Sequence, residues 1–187
     1  MSFDSFLERN RRFAHSPDRP PLLAMPDDPV LILTCADPRV EPATLFGYGI
    51  GRAIVLRNTG GRVTDAVISD IAMLSQIGEY LLPDSGGAAL EVAVVHHTHC
   101  GTAFLADAEF RGRLARRVGV AETSLADHAV TDPLTTVGTD VDLLLRGGVD
   151  LGRIAVSGHV LDLETGLVTT VRPAVQAFGT GLPAVAR

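Results

Sequence analysis

The sequence predicts an α/β fold, with a central, mainly parallel β-sheet flanked by helices. Three observations predict it. Two short, continuous apolar runs, VLILT at 30–34 and LEVAVV at 90–95, read as strands buried on both faces. Segments of helical period alternate with such runs along the chain. Two motifs rich in metal-ligating residue types, CADPR at 35–39 and HTHC at 97–100, each follow one of these runs closely. In open α/β sheets, sites collect beyond the carboxyl ends of the strands.

The elements are expected in this order. Residues 2–14 form a helix, with Phe3, Phe6, Leu7 and Phe13 on one apolar face. A helix this short is marginal alone, so that face should pack on something. Residues 16–29 are Pro-rich and read as an extended connector. Strands follow at 30–34 and 54–56. Thr64 is a plausible N-cap for a helix over 64–80, where Val67, Ile71, Leu74 and Ile77 repeat at helical spacing. The strand at 90–95 leads into a second long helix over 101–118. A short third helix is expected at 141–146. Strands at 154–160 and 167–171 are joined through the turn Glu164-Thr165-Gly166. No internal repeat or linker divides the chain, so residues 1–187 are expected to be a single domain, with 1–29 forming an N-terminal helix and arm.

Composition narrows the function classes. A chain of 187 residues with 46% apolar content can build one sizeable core. A net charge of −6 argues against a nucleic-acid partner, which would need a basic patch. The one local basic cluster, Arg111, Arg113, Arg116 and Arg117, reads as a solvated helix face. No run of about 18 apolar residues predicts a membrane span. The start, MSFDSFLERNRRF, has no apolar signal region, so a cytoplasmic location is expected.

Two cysteines are all the chain has. Cys35 has Asp37 two residues on and Arg39 four residues on, while Cys100 has His97 three residues before it. Thiolate, imidazole and carboxylate are the ligands zinc accepts in tetrahedral geometry. Alternatively, the cysteines are small buried hydrophobes or a redox pair, though no C-x-x-C is present. Asp37 has two possible jobs: to be a fourth ligand that closes the site, or to pair with the planar fork of Arg39. His96 reads as a core imidazole or one supporting His97. His99 could assist proton transfer or be an exposed loop residue. His15 and His128 carry no motif. Gly60-Gly61 marks a turn or a close backbone approach, and Arg57 and Asn58 read as structural.

Cys-x-Asp-x-Arg followed by His-x-x-Cys resembles the β-class carbonic anhydrases. The likeness extends through Val40-Glu41-Pro42, Arg57-Asn58-Thr59-Gly60-Gly61, Thr64-Asp65, His96 to Gly101 and the GHVLDLETG segment at 158–166. It covers roughly residues 26–171 and is nearest to the smaller bacterial subgroup. His99 stands where that subgroup usually has Asp, Gly51-Arg52 where it has Gly followed by an acid, and Pro26 near the position of a glutamine in plant-type members. The resemblance implies a β-carbonic-anhydrase-like fold and a zinc-dependent enzyme, with metal ligands Cys35, His97 and Cys100. Asp37 would join them only if the site is closed, and Asp37 and Arg39 would be the catalytic pair. It implies reversible hydration of carbon dioxide by zinc-bound hydroxide. Hydrolysis of carbonyl sulfide or carbon disulfide, or a closed non-catalytic zinc site, are the alternatives. It also implies a homodimer or dimer of dimers, in which the first helix packs on the partner subunit.

Overall fold

A computed structural model describes residues 3–22, 26, 29–81, 90–146, 151 and 153–177. Its centre is a five-stranded sheet in the order β2-β1-β3-β4-β5. Strands β1 (Val30–Cys35), β2 (Ile54–Asn58), β3 (Leu90–His97) and β4 (Ile154–Leu161) are parallel; β5 (Val168–Ala177) returns antiparallel to β4. The apolar runs form the inner strands because most of their residues are buried on one face or the other. Along β1, Leu31 and Leu33 point to one face and Ile32 to the other, all nearly or fully buried.

On the first face, α3 (Asp65–Leu81) packs Val67 and Ile71, and α6 (Pro133–Arg146) packs Val137, Val141 and Leu144. On the second face, Ile32, Val95 and Leu161 meet Val40 and the half-buried Leu45, Tyr48 and Val168. A cavity of about 500 Å³ lies against this face, bordered by Phe46, Tyr48, Glu91 and His159. Among the described residues, no helix is long and apolar enough to cross a membrane.

The structure corrects several sequence expectations. The segment 101–118 is not one helix. A 3-10 turn at Gly101–Ala106 ends at Asp107, whose side chain accepts from Phe110 N–H and caps α4 (Ala108–Val118). An N-cap carboxylate needs extended backbone at its own residue, which breaks the helical path. Helix α6 begins at Pro133, eight residues before the expected start; Asp132 accepts from Leu134 N–H and Pro133 fits a first helical position. Two five-residue helices, α2 (Pro42–Phe46) and α5 (Glu122–Ala126), are too short to leave a periodic signal. Helix α1 (Asp4–Ala14) forms as expected, but no residue on it is buried.

Helix α6 is tied to the sheet ends by a buried polar group. Asp140, fully buried, takes both arms of the Arg62 guanidinium at 2.8 and 3.0 Å. Burial alone would raise the Asp140 pKa, but hydrogen bonds from His96 and Arg62 outweigh it and leave it lowered. A carboxylate depressed in the folded state stabilises the fold above its unfolded pKa, about 3.9, and this contribution is lost as pH falls through the folded value. The gap in urea midpoint between the metal-free parent and an Asp140→Asn variant should therefore hold steady from pH 7 to 5 and narrow below about pH 4. An Asp140→Asn variant should lose less over that acid range; equal acid loss in both proteins would remove Asp140 from the account.

Candidate metal centre

The strand order creates the site. The chain passes from β1 outward to β2, crosses back to β3 on the other side of β1, and continues to β4. The crevice between the carboxyl ends of β1 and β3 is therefore a topological switch point, where loops diverge and leave room for a ligand. Cys35 is the last residue of β1 and His97 the last of β3. Cys100 follows at the start of the 3-10 turn.

Among the described residues, Cys35, His97 and Cys100 form a cluster whose donor atoms all lie within 4.8 Å of one another, all three side chains buried. The sulfurs are 3.9 Å apart. Cys35 Sγ also accepts from Gly60 N–H at 3.3 Å. Thr102 Oγ1 lies 3.2 Å from Cys100 Sγ. His97 Nδ1 lies 2.8 Å from the Thr98 carbonyl, which can only accept, so Nδ1 carries the proton. Its Nε2 is then a lone-pair donor, and it is buried with no hydrogen-bond partner. An orphaned imidazole nitrogen beside two sulfurs is the donor set zinc prefers, and the three residues fit that metal.

The electrostatics agree. One proton shared between the sulfurs lowers the Cys100 thiol to about 6. The same contact, with burial, pushes Cys35 up to about 11. Burial works against a charged His97 ring, but the Cys35 sulfur and the Thr98 carbonyl outweigh it and raise its pKa. The crowding of sulfur charge at one point is what a bound dication neutralises.

Asp37 is not part of this cluster. Its Oδ1 accepts from Arg39 N and Nε, both at 2.9 Å, and its Oδ2 accepts from Arg39 Nη2 at 2.7 Å. These bonds hold the carboxyl far below the usual carboxylate range. Asp37 is 12% exposed, whereas Arg39 is 55% exposed. Arg39 Nη2 also donates to the His99 carbonyl at 3.1 Å, which links the two motif loops. Arg57 fixes the first loop from below, donating to the carbonyls of Cys35, Asp37 and Val40 at 3.1, 2.8 and 2.6 Å.

The other histidines separate. His96 is fully buried and points away from the cluster, to Asp140 and Thr136. His99 adopts a positive φ of 54°, and its exposed ring lies 3.3 Å from Glu164 Oε1. His15 meets the Arg11 carbonyl at the end of α1, and His128 lies outside the cluster. The group that sequence reading missed is Arg62–Asp140, partners 78 positions apart. No local spacing could have paired them.

Comparison with known proteins points the same way. Residues 30–130 match a family model described as carbonic anhydrase. The chain is 28% identical over 170 residues to Beta-carbonic anhydrase 1 of Mycobacterium tuberculosis, covering 91% of this chain and 98% of that protein. The crystal structure of carbonic anhydrase from Streptococcus mutans superposes with a TM-score of 0.70 at 35% identity, covering 92% of this chain and 99% of that one. A carbon disulfide hydrolase in its apo form superposes with a TM-score of 0.57 at 22% identity, covering 89% and 88%. At that identity the likeness speaks for the fold alone.

Proposed function

The chain belongs to the carbonic anhydrase family, and from that premise we propose that its Cys35–His97–Cys100 cluster is a catalytic zinc centre for the reversible hydration of carbon dioxide to bicarbonate and a proton. The observation that carries this reading is the unpartnered Nε2 of His97 between two buried sulfurs, beside a carboxylate engaged by arginine. Cys35 and Cys100 would hold zinc as thiolates and His97 as neutral imidazole. When bound, zinc supplies the Lewis acidity that makes a water nucleophilic near neutral pH.

The remaining chemistry belongs to the chain. Arg39 holds Asp37 in a bidentate grip, so the carboxylate would not complete the ligand set and a fourth position would be left for substrate. Asp37 Oδ1 already accepts two hydrogen bonds and Oδ2 only one. Oδ2 therefore keeps a lone pair to accept a hydrogen bond from the attacking water and orient it. Because Arg39 keeps Asp37 ionised, this acceptor persists across the neutral range.

Stopped-flow hydration of carbon dioxide by the zinc-loaded protein, from pH 6.5 to 9, tests the activity. Turnover of carbonyl sulfide or carbon disulfide with none of carbon dioxide would transfer the assignment to those substrates. No turnover of any of them, with one zinc bound per chain, would leave a closed zinc site. Asp37→Ala should keep its zinc while losing about 10–100-fold in turnover; full activity in that variant would remove Asp37 from the mechanism.

The assembly we propose is a homodimer or a pair of dimers, with α1 packed on the partner subunit. Support comes from α1 itself, whose Phe3, Phe6 and Leu7 are 70, 50 and 42% exposed. A cytoplasmic location suits the site, because thiols stay reduced there.

A further inference from the structure

We propose that Asp140, acting with Arg62, is a positioning residue for the metal centre: from helix α6 it fixes both the turn that supports the Cys35 sulfur and the strand end that carries His97. This role rests on the reading of the cluster as a zinc centre.

Asp140 gathers four donors. Its Oδ2 accepts from Arg62 Nε at 2.8 Å, from Val63 N at 3.1 Å and from His96 Nε2 at 3.1 Å; its Oδ1 accepts from Arg62 Nη2 at 3.0 Å. Arg62 in turn donates to the Asp127 carbonyl at 2.6 Å. Through Arg62 and Val63, Asp140 anchors the far end of the turn at 58–63. The near end is closed by Asn58, which accepts from Arg62 N and donates to the Arg62 carbonyl. Within this clamped turn lies Gly60, whose N–H reaches Cys35 Sγ. A hydrogen bond to a ligand sulfur sets the orientation and donor strength of that thiolate.

The second arm runs through His96. Its Nε2 sits 3.2 Å from the Gly61 carbonyl as well as 3.1 Å from Asp140, and its Nδ1 sits 2.9 Å from Thr136 Oγ1, one helical turn before Asp140 on α6. The ring is thus pinned on both edges, and the next residue in β3 is the ligand His97. One carboxylate on α6 thus holds two segments, one that supports the Cys35 sulfur and one that carries His97. Relative to well-packed apolar residues a buried ion pair adds little stability, because desolvation offsets the attraction. Hydrogen-bonded partners behind metal ligands fix the orientation of those ligands.

The test is zinc affinity, measured by chelator competition, alongside a urea midpoint for each protein. Asp140→Asn keeps the size and loses the charge. Arg62→Lys keeps the charge and loses the planar fork, and it carries the test if Asp140→Asn does not fold. Leu144→Ala on the same helix is the control, since it costs stability through packing alone. We expect Asp140→Asn and Arg62→Lys to weaken zinc by about 10–100-fold and Leu144→Ala to stay within about twofold. In cobalt-loaded protein the thiolate-to-metal absorption band should shift in the first two variants and stay in place in the third. Zinc binding within about twofold of the parent in both polar variants overturns the role, as does equal weakening in the control. A parent chain that binds no zinc overturns the metal centre itself, a result distinct from tight binding in parent and variants alike.

Discussion

Replacing Cys35 with alanine should strip the protein of zinc and reduce carbon dioxide hydration to background. Three side chains define the cluster, and only two would remain. Zinc bound by four protein ligands in zinc-finger peptides is worth about 10–16 kcal/mol, so one ligand accounts for roughly 2.5–4 kcal/mol, on the order of 10²–10³-fold in affinity. Cys35 contributes more than an average share, since it is one of two sulfurs and the acceptor of the Gly60 N–H. The variant should still fold: Cys35 is small, and its removal leaves a gap of a single sulfur at a strand end. Metal content by mass spectrometry and stopped-flow turnover decide the matter together. One zinc retained per chain with full activity would end the case for Cys35 as a ligand.

Gly61→Ala should be nearly as damaging, although Gly61 touches no substrate. Its φ is +67°, which costs a non-glycine residue about 1–2 kcal/mol. A Cβ there would sit 2.9 Å from both Cys35 N and Thr34 C, backbone atoms that cannot rotate away. Overpacking against a fixed wall adds about 1–3 kcal/mol. The sum, about 2–5 kcal/mol, is a large part of the stability of a domain, roughly 5–15 kcal/mol. Relief by movement of β1 would drag Cys35 out of the cluster, so zinc affinity should fall with stability. Gly166→Ala separates the two causes. Its φ is +74° with nothing within 4 Å, so it should lose only about 1–2 kcal/mol and keep its zinc. Matching losses in the two variants would show that the close approach to β1 is unimportant.

Much of this was legible in the residues. VLILT and LEVAVV could be read as inner strands because a continuous apolar run has few other uses at that length. The meeting of Cys35, His97 and Cys100 was legible because each chemical motif follows a strand and because two cysteines are few enough to be informative. The Asp37–Arg39 pair was legible from a spacing of two. What escaped depends on distance or on small scale. Helices of five residues carry no period. The break at Asp107 was signalled by a capping residue, but the apolar pattern runs on across it. Arg62 and Asp140 meet only because α6 lies over the end of β3. His96 remained ambiguous in the sequence for the same reason, since its partners sit on α6.

The three residues of the cluster also differ in their separation along the chain. His97 and Cys100 are neighbours, whereas Cys35 is 65 residues from Cys100. An ion joining them would be a clip across a long loop. A cross-link closing a loop of that size removes about 4 kcal/mol of freedom from the unfolded chain. The local His97–Cys100 pair would retain some metal after unfolding and reduce that gain. Whatever remains would rise with the free zinc concentration, so in metal-poor surroundings the chain would unfold more readily and be cleared sooner by proteases. The abundance of the protein would then report on metal supply before any turnover is measured.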